Sequence, residues 1–265
     1  WRRLAWIGEA HASTRTHSRN TASHAGEAML TISLVGQKGG GGKSTVCWIL
    51  AQAALARSHE STILLVETDK QGSTSGFVKG AHAAYPELQD RLFCEKVSNG
   101  EELYDLVEKA MESGVDYALI DTEGRHSDLA RDVMSMSDRI IIPVKPVLHE
   151  YHSQLATVAL YEALHATLKE DGHQAAPCGL LLNNLKPAQK LTLEQAGALD
   201  VITGHPMMLP FFMPFRTAYE TLGRGRILPL ERSALTGAGQ GLARKHLDVD
   251  IAEANTILAS IEGMA

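Results

Sequence analysis

The chain places a short apolar run, Thr31-Ile32-Ser33-Leu34-Val35, directly before Gly39-Gly40-Gly41-Gly42-Lys43-Ser44-Thr45. An apolar helical pattern follows, from Ser44 to Ser58. Strand, glycine loop, then Lys-Ser-Thr opening a helix is the pattern of a phosphate-binding loop. Glycines lack Cβ, so successive backbone N–H groups can close on phosphate oxygens. The helix that starts near Ser44 adds its positive end. A glycine-rich turn without a ligand would not need the Lys-Ser-Thr that follows. The spacing therefore predicts Gly39, Gly40, Gly41, Gly42, Lys43, Ser44 and Thr45 as nucleotide-binding residues. Lys43 is placed for the β- and γ-phosphates and the Ser44 hydroxyl for Mg²⁺.

Beyond the loop, apolar runs alternate with helical patterns. Strands are expected at 31–35, 62–68, 117–121, 139–144, 179–183 and 208–212. Helices are expected at 44–58, 101–113, 128–136, 150–170, 191–199, 217–222 and 249–261. Several strand candidates are continuously apolar, as parallel strands covered on both faces are. The expected fold class is α/β, a single doubly wound, mostly parallel sheet flanked by helices, with the ligand at the strands' carboxyl ends. Residues 72–100 read as the least regular part, a mobile loop region. Residues 29–265 are expected to form one P-loop nucleotide-binding domain.

Residues 1–28 are rich in Arg, His, Ser and Thr and poor in acids, without a regular period. They read as a disordered or non-native extension. A transit-like peptide and an arginine-bearing DNA-binding arm are the other readings. The formal net charge of −6 means that the chain is no polycation, so nucleic-acid binding would need a local patch. Cys47, Cys94 and Cys178 are scattered, without CxxC or metal-ligand spacing, and read as reduced thiols of a cytoplasmic protein. No apolar stretch approaches the roughly 20 residues that span a bilayer.

The ordinary G-x-x-x-x-G-K-[ST] spacing puts its first glycine at position 37, where this chain has Gln37, followed by Lys38. Lys38-Gly39-Gly40-Gly41-Gly42-Lys43-Ser44 thus takes the deviant form K-G-G-x-G-K-[ST]. In this the chain resembles the ParA/MinD superfamily of deviant Walker A ATPases, most of all its ParA-type partition members, from Met29 to the mid-230s. The resemblance implies that Lys38 reaches across a nucleotide-sandwich homodimer to the other copy's phosphates, so that ATP binding and dimerisation are one event. Glu67-Thr68-Asp69-Lys70-Gln71-Gly72-Ser73 is similar to the family's D-x-D-P-Q-G-[NS], and Asp69 matches the acid that positions the attacking water. An acid at a strand end is also a common cap or turn residue. Glu67 and Lys70 depart from that pattern, which puts the loop's fine geometry in question.

Tyr117-Ala118-Leu119-Ile120-Asp121 is a Walker B pattern, with Asp121 expected in or near the Mg²⁺ shell. Glu123 reads as a loop residue rather than an extra acid at the γ-phosphate. Leu180-Leu181-Leu182-Asn183-Asn184 resembles the strand whose terminal Asn faces adenine. An amide there can donate and accept, although a turn residue would read the same way. Near the C-terminus, Arg216-Thr217-Ala218-Tyr219 with Gly223-Arg224-Gly225-Arg226 resembles the R-x-A-Y…G stretch of partition ATPases. Arg216, Arg224 and Arg226, joined by Lys186 and Lys190, are candidate phosphate-backbone contacts on DNA. Plain solvation of these arginines, or their pairing with Glu220 and Glu231, is the alternative.

The last segment, 248–265, carries no Lys or Arg, which argues against a basic membrane-binding helix. Taken together, the resemblance implies a slow, partner-stimulated ATPase with ATP and Mg²⁺ as cofactors. It would be nucleoid-associated when ATP-bound, with non-specific DNA and a ParB-like or other activating protein as partners. Plasmid or chromosome partition is the expected role. Positioning of a conjugation or other protein cargo, or a P-loop small-molecule kinase or ligase, are the alternatives. A small-molecule enzyme would have no use for Lys38.

Overall fold

The computed structural model describes residues 29–37, 40–69, 72–124, 128–186 and 190–264. Lys38, Gly39, Lys70 and residues 1–28 lie outside them. One seven-stranded sheet organises the rest. Its strands are β1 (Leu30–Leu34), β2 (Ile63–Glu67), β3 (Leu92–Lys96), β4 (Tyr117–Asp121), β5 (Arg139–Val144), β6 (Cys178–Leu185) and β7 (Met208–Pro214). They run in the order β3-β2-β4-β1-β5-β6-β7, and every neighbouring pair is parallel. β1 lies in the middle, so the loop that leaves it emerges where the chain's crossovers diverge to the two halves of the sheet. In open α/β sheets that is where ligands bind.

Alternation of side chains assigns the two cores. On β1, Ile32 and Leu34 face one layer, and Val35, just beyond the strand, faces the other; on β2, Ile63 and Leu65 oppose Leu64 and Val66; on β5, Ile141 opposes Ile140 and Ile142. The first layer holds α1 (Lys43–Arg57), α2 (Ser73–Ala84), α7 (Thr217–Glu220), α8 (Leu228–Ala234) and α9 (Gly241–Glu262). The second holds α3 (Gly100–Glu112), α4 (Asp128–Ser135), α5 (Leu148–Glu170) and α6 (Leu193–Thr203). Helix α3 illustrates the local logic. Asn99 caps it by accepting from the Glu102 N–H, and Leu103, Leu106, Val107 and Ala110 form its buried stripe.

The expectation of an irregular, mobile 72–100 is overturned. That segment holds α2, a 3₁₀ turn (Pro86–Leu88) and the edge strand β3. The helical signal of α2 was hidden by Gly76, Gly80 and its Ser/Thr-rich start, which have low helix propensity. Its stability comes from tertiary contacts: Phe77 and Ala81 are fully buried. The last helix also begins earlier than expected, at Gly241 rather than Val249. Its Leu247, Ala254, Ile257, Leu258 and Ile261 are buried, so it is a core helix. Among the described residues, no helix is long and apolar enough to cross a membrane.

Candidate functional site

The glycine loop leaves β1 and enters α1 through two left-handed residues, Gly40 (φ 94°) and Gly42 (φ 92°). A Cβ at Gly42 would overlap Asn183 Nδ2. Only glycine satisfies both demands. Asn183, at the carboxyl end of β6, is buried and donates to the Gly41 carbonyl at 2.9 Å. Its amide therefore braces the loop in this structure. From the other side, α5 supplies supports that the sequence did not suggest: Thr157 Oγ1 accepts the Gln37 N–H at 3.0 Å, and lies 3.4 Å from the buried Gln154. No side chain caps α1, which leaves its positive end facing the loop as an anion cradle.

Lys43 is the first residue of α1 and is only 8% exposed. Burial lowers the pKa of its ammonium, against the opposing pull of Asp121 and Asp69. Asp121 ends β4 and is 2% exposed. Burial raises its carboxyl, while hydrogen bonds from Ser44 and Thr74 and the charge of Lys43 act the other way. Lys43, Ser44, Asp69 and Asp121 thus come together at the carboxyl ends of β1, β2 and β4. Glu123, half-buried just beyond β4, has its N–H held by Thr68 Oγ1 at 2.9 Å. No group of three or more His, Cys, Asp or Glu that would hold a metal occurs among the described residues. The donor set instead suits a nucleotide-borne Mg²⁺, which needs one hydroxyl and a nearby carboxylate, the phosphates supplying the rest. A buried lysine, left-handed glycines and an uncapped helix end fit the phosphates themselves.

Glu67 has a role of its own here. It is fully buried at the end of β2, and its carboxylate accepts from the Thr74 N–H at 2.8 Å and the Ser75 N–H at 3.3 Å. Lys96, its register partner on β3, pairs with it at 3.5 Å. The N-cap of α2 is Gly72, which has no side chain to offer. Glu67 supplies the missing acceptor from across the loop, and its extra methylene gives it the reach. Sequence reasoning singled out Glu67 only as a departure from the pattern and missed Thr74. Nothing in the local pattern marks either contact, because both are made by folding β2 back against α2.

Of the three candidate arginines, Arg216 and Arg226 are engaged with acids. Arg216 bonds Glu253 (Nε–Oε2 2.8 Å) and lies 3.5 Å from Asp250. Arg226 bonds Glu231 (Nε–Oε1 2.7 Å). Arg216 and Arg226 line a groove of about 1110 Å³ together with Leu242, Lys245 and Asp250. Arg224 is exposed, as are Lys186 and Lys190, and Lys186 Nζ stands 4.2 Å over the Phe215 ring. The three cysteines are free, and burial pushes the Cys94 thiol up to about 12.

This phosphate-loop architecture coincides with a family model described as VirC1 protein, which matches residues 29–264. The chain belongs to the VirC1 family. Solved structures share the fold at low identity. A variant of McdA from Cyanothece, in complex with ATP, is 15% identical with a TM-score of 0.57, covering 91% of this chain and 98% of that one. The pNOB8 ParA is 12% identical with a TM-score of 0.57, covering 88% and 99%. MinD from Aquifex aeolicus is 18% identical with a TM-score of 0.54, covering 87% and 97%. No curated protein matches the chain by sequence. At these identities the likeness to McdA, ParA and MinD is one of fold.

Proposed function

We propose that this VirC1-family chain is an ATP-driven dimerising switch of the ParA type. In this reading it binds Mg-ATP at the 39–45 loop and closes a homodimer through Lys38, which reaches the second copy's phosphates. The closed dimer holds duplex DNA without sequence preference, and a ParB-like or other activating protein stimulates slow hydrolysis that releases it. The role is plasmid or chromosome partition, with the protein on the nucleoid when loaded and cytoplasmic otherwise. The observation that carries the reading is the convergence of Lys43, Ser44, Asp69 and Asp121 beside two left-handed glycines. The Cyanothece McdA complex with ATP supports the choice of nucleotide.

Each residue has a task that matches its surroundings. Lys43 and the loop amides hold phosphate charge in a partly dehydrated site, where electrostatic contacts are strengthened. Ser44 and Asp121 would hold Mg²⁺. Asp69, half-buried, orients water and need not be a strong base, because phosphoryl transfer depends mainly on positioning and charge neutralisation. When bound, Mg-ATP supplies the phosphoryl group and the cation that neutralises its transfer. Asn183 supports the loop through Gly41, and by the family resemblance it would also face the adenine.

The discriminating variant is Lys38→Ala. It is expected to spare much of the ATP binding but to remove ATP-dependent dimerisation, measured by light scattering, and hydrolysis. Normal dimerisation of that variant would return the chain to ordinary P-loop enzymes. A second reading, positioning of a conjugation complex or another protein cargo, is favoured by the pairing of Arg216 and Arg226 with acids, which weakens a DNA patch. ATP-loaded protein that ignores duplex DNA at low salt would select this second reading.

A further inference from the structure

Thr74 is the second residue of α2 and is fully buried. Its hydroxyl lies between two groups whose hydrogen-bonding roles leave no choice. The Trp48 indole Nε1–H, 3.0 Å away, is a donor only. The Asp121 carboxylate, 2.7 Å away on the other side, accepts. A hydroxyl carries one proton, so that proton points at Asp121 and the oxygen receives the indole. The order is therefore fixed: Trp48 N–H to Thr74 oxygen, Thr74 O–H to Asp121.

Of the neighbours that hold Asp121 in its charged form, Ser44 and Lys43 belong to the phosphate loop, where they would take new partners in a bound nucleotide. Thr74 does not. Its own N–H is fixed by Glu67 on β2, so it stays in place when the loop exchanges contacts. Trp48 is also held: it stacks on Phe77 of α2, with ring centroids 5.3 Å apart at 19°, and lies against Gly223. We propose that Thr74 is the positioning residue for Asp121, the metal-side carboxylate of the Mg-ATP reading on which this inference rests, and that it carries the state of that carboxylate to the Trp48 indole. The relay joins the nucleotide side of the sheet to α2 through a single hydroxyl.

The chain has three tryptophans, so Trp1→Phe and Trp6→Phe leave Trp48 as the sole indole of the full-length protein. Its emission is recorded without ligand, then with ATP, then during a Mg²⁺ titration, beside ADP release. The expected result is an emission change on Mg-ATP binding that Thr74→Ser retains and Thr74→Val loses. Thr74→Val also shifts the ligand-free emission, because the indole loses its acceptor. Its Mg²⁺ requirement for hydrolysis rises about tenfold, as the loss of one hydrogen bond to a charged group implies. Thr74→Ala removes the same hydroxyl without added bulk and repeats the result if the valine variant does not fold. Thr74→Val or Thr74→Ala behaving as the parent in both emission and Mg²⁺ requirement overturns the inference. A parent that hydrolyses ATP with unchanged Trp48 emission overturns the inference alone. A parent that neither binds nor hydrolyses Mg-ATP overturns the ATPase reading and the inference with it.

Discussion

Gly225 sits at a point where two stretches of backbone touch, and replacing it by alanine tests that contact. Its φ of +83° is one that L side chains rarely adopt, and forcing alanine into it costs about 1–2 kcal/mol. A Cβ there would stand 2.5 Å from Gly80 Cα in α2, and nearer still to the Gly80 carbonyl carbon and the Ala81 nitrogen. These are main-chain atoms, so no side chain can turn aside. The reciprocal position agrees, since a Cβ on Gly80 would meet the Arg224 carbonyl oxygen at 2.7 Å. Overpacking of this kind adds about 1–3 kcal/mol. The sum of roughly 2–5 kcal/mol corresponds to a fall in melting temperature of about 4–20 °C for a domain of this size. Gly76, about one turn before Gly80 on the exposed face of the same helix, is the internal control, because a Cβ there meets nothing within 4 Å. Gly76→Ala is expected to stabilise by about 0.5–1 kcal/mol through reduced chain entropy. The assay is thermal unfolding followed by circular dichroism. Opposite signs for one substitution at two glycines would support the contact. A Gly225→Ala protein that melts with the wild type would refute it.

The remaining predictions concern the site. Glu67→Ala leaves the Thr74 and Ser75 amides without their acceptor and should cost about 2–4 kcal/mol, whereas Glu67→Gln keeps one acceptor and should cost about half of that, both read by denaturant unfolding. Burial raises the Asp121 carboxyl and lowers the Lys43 ammonium, so both charges oppose folding in the nucleotide-free protein. The Asp121 contribution favours the folded state below its ordinary value of 3.8 and is lost as pH rises through the higher folded value. The pair Lys43→Met and Asp121→Asn together should therefore melt above either single variant at neutral pH, with the advantage shrinking on acidification, while ATP binding is abolished. Asn183→Ala, which unties the loop from β6, should lower nucleotide affinity about tenfold in a fluorescent-nucleotide titration, with little change in melting temperature.

The strand–loop–helix run at 31–58, the alternation that followed it and the acids at strand ends were legible from sequence because each rests on local periodicity. The parallel sheet and the gathering of Lys43, Ser44, Asp69 and Asp121 followed from that pattern. Residues 72–100 were misread because α2 and β3 owe their regularity to burial of Phe77, Ala81 and Leu92, which a window along the chain cannot see. The role of Glu67 was equally hidden: it reads as a substitution in a motif, yet it caps a helix seven residues later.

By itself the sequence determined that this chain has a phosphate loop with one lysine more than binding requires. Four glycines, Lys43 and Ser44 impose that chemistry wherever a strand feeds them into a helix. The tertiary structure decided what surrounds it. Asn183 and Thr157 reach the loop from residues far along the chain, Glu67 ties α2 to β2 and Thr74 ties it to Asp121, and Arg216 and Arg226 meet acids of α9 and α8. Those partners are distant in sequence and are brought together only by packing the two helical layers on one sheet.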